Sequence, residues 1–271
     1  MYNLGMSYQD ILWSRPTRRT GRILLVGGHR DGFAALQRTY AGFEAAGAAE
    51  SHLALPDKLS KHVGNLEGIS LVASNPSGSI ARDATAELVH LANQSDAVCI
   101  GPDLSNNSET TLTMQRVITE TRAAVIIPSQ STEQLIGELP NWSENANTLV
   151  FLNQKQLLKL AAKLAADATI PLNITNEALQ AVAQATSAIF KPSIVIQTKD
   201  AIIYAVDGEA GIAKIFLEDS HSGALTGLLG LFWLQNGSNH LDALEAALYI
   251  TQKAIQYDNF EVGIKQELAQ V

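Results

Sequence analysis

The stretch RILLVGGHRDGFAALQRTYAGFEAAG, residues 22–47, reads as three pieces in succession. Ile23 to Val26 form an unbroken apolar run, the pattern of a strand covered on both faces. The run breaks at Gly27 and Gly28 into a loop that extends to Gly32. From Ala34 to Ala46 apolar and small residues recur at helical spacing and stop at Gly47, which suits a left-handed C-terminal cap. Strand, glycine loop and helix together make the repeating unit of a parallel α/β sheet.

The same unit recurs along the chain. SHLALP (51–56) and GISLVASN (68–75) read as strands, the second followed by the turn NPSGS and the helix ARDATAELVHLANQS (81–95). DAVCIG (96–101) is a buried strand ending in Gly101 and Pro102, with Asn and Ser residues beyond it able to cap the next helix. AAVIIPSQS (123–131) is a further strand, and NTLVFLNQKQLLKLAAKLA (147–165) a strand running into a helix. NEALQAVAQATSAIF (176–190) is helical, and Pro192 closes the connection to the strand SIVIQTKD. AIIYAVDG (201–208) is a strand ending in an Asp-Gly turn, and LDALEAALYITQKAIQY (241–257) is the last helix, while the N-terminal segment reads as irregular. Such alternation predicts a mostly parallel sheet covered on both faces with right-handed crossovers. Ligands bind such sheets at the carboxyl ends of the strands, so the loops 27–32, 101–107, 128–132, 152–155 and 220–223 are expected to share one cleft.

Composition narrows the function classes. With 271 residues, 46% of them apolar and 17% charged, one α/β domain spanning 1–271 is expected. A net charge of −8 offers no footprint for nucleic acid. No apolar run approaches the length of a membrane span and no secretory signal opens the chain, so a cytoplasmic location is expected. Cys99, the single cysteine, lies in an apolar strand and reads as a structural thiol.

Taken in order, these segments resemble a known family, the NAD(P)H-hydrate dehydratases of the ribokinase-like superfamily. The family's GRVLVVGGS resembles GRILLVGGH (21–29), its GPGLG resembles GPDLS (101–105), and its AGIIAALLAQG resembles TGLLGLFWLQNG (226–237). The closing DPLEAAALGVYLHG is similar to NHLDALEAALYITQ (239–252). The resemblance implies a three-layer α/β/α sandwich with a mostly parallel central sheet. It also implies a site where ADP or ATP phosphorylates the hydroxyl of a hydrated nicotinamide ring, and a homo-oligomer. The apolar GLLGLFW helix suits either a subunit contact or a core.

The departures concern the chemistry. The family's GTGD turn falls on Ser220, His221, Ser222 and Gly223, so glycine stands where the family has its acid. The His and Glu of the family's TPHPGE become Asn153 and Gln156, and the Lys of its VVLKGA becomes Gln197. Ser220, Ser222, Gly223, Ala224 and Leu225, with Gln197, are the candidate phosphate-binding set, because backbone amides and hydroxyls at a helix start attract anions. The alternative is an ordinary capped helix start. Proton removal then has only His221, Glu218 and Asp219 as substitutes, which otherwise read as turn residues.

Gly28, His29, Ala34, Gly101, Asp103 and Asn153 are the candidate substrate-cleft residues. Asp103 replaces a family glycine, and its carboxylate would either repel a phosphate-bearing ligand or hold Mg²⁺. His52, His62, His90 and His240 show no metal-ligand spacing. Two readings follow: a degenerate homologue that still binds a nucleotide or dinucleotide, or an active dehydratase or related kinase with a relocated base.

Overall fold

The computed structural model describes residues 8–14, 20–63, 67–164 and 174–271. Arg18 and Arg19, at the edge of the family-like opening segment, and Ala165, at the end of the helix expected after residue 153, lie outside them. In chain order the elements are α1 (Tyr8–Trp13), β1 (Arg22–Val26), α2 (Ala34–Ala46), β2 (Glu50–Pro56), α3 (Ser60–Val63), β3 (Ile69–Val72) and α4 (Thr85–Asn93). There follow β4 (Ala97–Ile100), α5 (Ser108–Glu120), β5 (Ala124–Ile127), α6 (Ser129–Leu135), β6 (Thr148–Leu152) and α7 (Gln154–Lys163). The chain closes with α8 (Asn176–Ser187), β7 (Ser193–Gln197), β8 (Ile202–Val206), β9 (Glu209–Ala213), α9 (Ser222–Gln235), α10 (His240–Ala254) and α11 (Phe260–Leu268).

The nine strands form one sheet in the order β3-β2-β1-β4-β5-β6-β7-β8-β9. Pairing is parallel from β3 through β7, and β8 and β9 are antiparallel additions at the far edge. Side chains alternate across the sheet as the strand period requires. Ile23, Leu25, Cys99, Leu149 and Phe151 pack with α1, α2, α9, α10 and α11. Leu24, Val26, Val98, Ile100, Val150 and Leu152 pack with α4 to α8. This is the expected α/β/α sandwich. Cys99 is fully buried, and burial pushes its thiol pKa up, as suits a packing residue.

Helix α9 is apolar on every side because it has no solvent face: each residue from Ala224 to Trp233 is buried. The GLLGLFW segment is therefore absorbed by this chain's own core, and Trp233 satisfies its indole by donating to Ser193 Oγ at 2.9 Å. Against α2 the two backbones touch. A Cβ at Gly227 would lie 2.3 Å from Gly42 C and Phe43 N, and one at Gly42 would lie 2.6 Å from Ala224 Cα.

Five elements differ from the sequence reading, among them α3 (Ser60–Val63), for which no element was expected, and α11, which follows the helix expected to be the last. The N-terminal segment holds the short helix α1, and residues 129–135 form α6 where a longer strand was expected. Strand β9, EAGIA, has a weak local signal, yet it pairs with β8 across the Asp207-Gly208 turn, both of whose residues have positive φ (49° and 83°). Its Gly211 lies opposite Tyr204, whose ring takes the space a Cβ would need. Helix α11 was legible from Asn259, whose side chain accepts from the Val262 amide at 2.9 Å.

Because backbone faces backbone at residue 227, Gly227→Ala is expected to lower stability by about 1–3 kcal/mol. The loss should appear as a lower urea midpoint with an unchanged slope.

Candidate functional site

Strand order reverses between β1 and β4, the place where a sheet of this kind usually opens a crevice. Here direct packing fills its floor. A Cβ at Gly27 would stand 2.8 Å from the Pro102 carbonyl oxygen, and one at Gly101 only 2.0 Å from Leu36 Cδ1. Asp103 adds to this packing. Its Oδ2 accepts from the Ala35 amide at 2.8 Å and the Leu36 amide at 3.3 Å. The N-cap residue of α2, Phe33, offers no side-chain acceptor, so a carboxylate some 68 positions along the chain caps the helix instead. Asp103 holds this pose in the left-handed region (φ 66°), where the family has a glycine. The carboxylate weighed as a magnesium ligand is thus committed to backbone amides. Among the described residues no group of three or more His, Cys, Asp or Glu is arranged to hold a metal ion.

At the start of α9, a 3₁₀ turn over Asp219–His221 runs straight into the helix. It uses one of the amides expected to be open, since Ser222 N–H donates to the Asp219 carbonyl, and before it His221 N–H donates to the Glu218 carbonyl at 3.0 Å. Ala224 and Leu225 are buried. Gly223 lies against α2, where a Cβ would come within 2.8 Å of Arg38 Cβ and 2.9 Å of both Arg38 C and Thr39 N. The cavity left between α2 and this corner is about 20 Å³, lined in part by Thr39, Gln130, Asp219 and Ser222. That is room for one water molecule.

The open space lies further along the sheet. A cleft of about 1020 Å³ spans the carboxyl ends of β5, β6 and β7, and Ser129, Asn153, Lys155, Gln197, Lys199, Phe216, Asp219 and Ser222 all line it. Asn153 and Gln156 form a capping box at the start of α7: Asn153 Oδ1 accepts from Gln156 N–H at 3.0 Å, and Gln156 Oε1 accepts from Asn153 N–H at 2.8 Å. Gln156 is buried and also donates to the Ser129 carbonyl (3.0 Å) and Glu133 Oε2 (3.1 Å), so it ties α7 to α6. The box leaves the Gln154 and Lys155 amides, on residues lining the cleft, without a partner inside the helix.

The remaining candidates are dispersed. His29 lines a separate polar depression of about 440 Å³ with Arg30, Asp31, Ser77, Ser79 and Ser105, and its Nδ1 accepts from the Asp31 amide at 3.1 Å. Gly28 is buried among Phe33, Leu55 and Leu59, while Ala34 is exposed at the start of α2. The His221 ring lies tilted against that of Phe260 of α11, with centroids 4.9 Å apart, and its Nδ1 is buried without a partner. Ser220 is exposed and donates to Glu218 at 3.3 Å. Of the candidate phosphate set, Ser222 and Gln197 line the large cleft. The five loops therefore do not share one cavity. Phe216 and Lys199 carried no motif and were missed from the sequence.

No protein-family model and no curated protein matches the chain. Solved structures do. A ribokinase-like superfamily protein from Enterococcus faecalis is 16% identical with a TM-score of 0.73, covering 100% of this chain and 98% of that one. The ADP/ATP-dependent NAD(P)H-hydrate dehydratase of Bacillus subtilis, co-crystallised with ATP/Mg²⁺ and soaked with CoA, is 14% identical with a TM-score of 0.65, covering 100% and 98%. The Bacillus subtilis pyridoxal kinase, as an ADP complex, is 14% identical with a TM-score of 0.57, covering 88% and 92%. At these identities the likeness establishes the fold: the chain is ribokinase-like in architecture.

Removing the remote cap is expected to cost stability. Asp103→Ala should lower it by about 1–2 kcal/mol. Asp103→Gly should lower it by less, since glycine adopts the left-handed conformation without strain. Urea unfolding of both variants checks the order, and an Asp103→Ala variant as stable as the parent would contradict the capping role.

Proposed function

We propose that this chain is a nucleotide-binding protein of the ribokinase-like fold that has lost the phosphoryl-transfer base of the NAD(P)H-hydrate dehydratases. Transfer from a nucleotide to a hydroxyl needs a group that takes up the hydroxyl proton, and losing such a base costs about 10² to 10⁴ in rate. The observation that carries the reading is the contact at Gly223. The place where an acidic side chain would begin is occupied by the backbone of α2 at Arg38 and Thr39. The site therefore lacks both the acid and the space for it.

Binding does not need that group. The cleft of about 1020 Å³ is of the size that small ligands use, and it offers the ammonium groups of Lys155 and Lys199 together with the first turn of α7. Ser222 and Gln197 extend its polar wall. ADP or ATP is the ligand this lining suits best, in keeping with the nucleotides named for the dehydratase and kinase of similar fold. A magnesium ion carried by the phosphates needs only one or two protein carboxylates, which Glu218 and Asp219 would supply, and it would neutralise phosphate charge there.

One observation favours a second reading, an active enzyme with a relocated base. Asp219 lines both the large cleft and the small cavity beside Ser222 and Gly223, so an acidic residue borders the vacated corner.

Thermal-shift and turnover assays with ADP, ATP and hydrated NADH separate the two. A nucleotide-dependent rise in Tm without turnover is expected. Turnover that disappears in Asp219→Asn would establish the second reading instead. Gly223→Asp is expected to restore no turnover and to lower stability by about 1–3 kcal/mol, because the added side chain must displace α2.

A further inference from the structure

In the segment between β9 and the 3₁₀ turn, burial alternates from one side chain to the next. Ile215 and Leu217 are buried at 4% and 6% exposure, whereas Phe216 between them is 60% exposed. The two flanking residues belong to the core beneath the sheet, so the backbone is anchored on either side and Phe216 cannot withdraw without uprooting one of them. The ring is held out over the wall of the large cleft. A lone exposed aromatic on a convex surface would call for no explanation. This one lines a cleft that also carries the Asn153, Gln154 and Gln197 amides, the Lys155 and Lys199 ammoniums, and the carboxylates of Glu133, Glu218 and Asp219.

We propose that Phe216 is the stacking platform for the base of a purine nucleotide bound in this cleft. The inference rests on the nucleotide reading given above and adds which part of the ligand is read where. An aromatic face accepts a flat heterocycle, and carboxamides supply both donors and acceptors for the heterocycle's edge. The two ammonium groups and the first amides of α7 meet the anionic end. A ligand that had only phosphate, or only a sugar, would leave the Phe216 ring in water.

Calorimetric titration of ADP and of inorganic pyrophosphate into the parent chain, Phe216→Ala and Phe216→Trp tests the assignment. Phe216→Ala is expected to weaken ADP on the order of ten-fold, as loss of one base–aromatic stack does, and to leave pyrophosphate unchanged. Phe216→Trp should retain ADP affinity. Because the ring is largely solvent-exposed, neither change should alter the thermal midpoint of the free protein, which serves as the folding control. Equal ADP affinity in the parent and Phe216→Ala overturns the platform while leaving the nucleotide cleft standing. A parallel loss for pyrophosphate also overturns it, since the residue would then act on the phosphate end or on the fold. A parent chain that binds neither probe overturns the cleft reading and the platform together.

Discussion

The backbones of α2 and α9 are in contact, and the rest of the site follows from that contact. Gly42 on one helix and Gly223 and Gly227 on the other have no side chains to hold the two apart. Helices separated by ordinary side chains stand 8–10 Å apart, according to which residues meet at the crossing. Removing the side chains brings the start of α9 onto Arg38 and Thr39, and the corner beside it shrinks to about 20 Å³. A helix start that could have faced a ligand faces another helix.

The positive end of α2 is likewise satisfied from within. A helix N-terminus attracts an anion wherever its first amides are open, and Asp103 supplies the anion to Ala35 and Leu36. The amides of His221 and Ser222 are taken by the 3₁₀ turn that leads into α9. What stays open is the start of α7, where the capping box of Asn153 and Gln156 still leaves the first-turn amides of Gln154 and Lys155 at the edge of the cleft. At the carboxyl end of the sheet the open helix amides thus lie beside β6 and β7, away from the switch in strand order between β1 and β4.

Individual residues show how far the sequence could be read. The neutral positions 153, 156, 197 and 223 stand out against the family pattern, and that much is legible residue by residue. Their structural duties are not. Gln156 reads as a lost acid, yet it is a buried hub holding α6 to α7, because its partners Ser129 and Glu133 come from another strand–helix unit. Asp103 reads as a repellent or a metal ligand, yet it caps a helix some 68 positions earlier in the chain. Phe216 belongs to no motif at all. Its meaning comes from the burial of its two neighbours and from the cleft beneath it.

The sequence by itself determined the layers of the fold, the strand–loop–helix succession, the single buried thiol and the absence of an acid at position 223. Those features are periodic or local, carried by neighbours within a turn or a strand. Only the tertiary structure decided that β9 completes the sheet, that three of the five loops share one cleft apart from the other two, and that α2 packs against the corner at Gly223. Each of these depends on pairs far apart in the chain, such as Gly42 with Ala224 and Asp103 with Ala35, whose approach is set by packing and by which backbone amides remain to be satisfied.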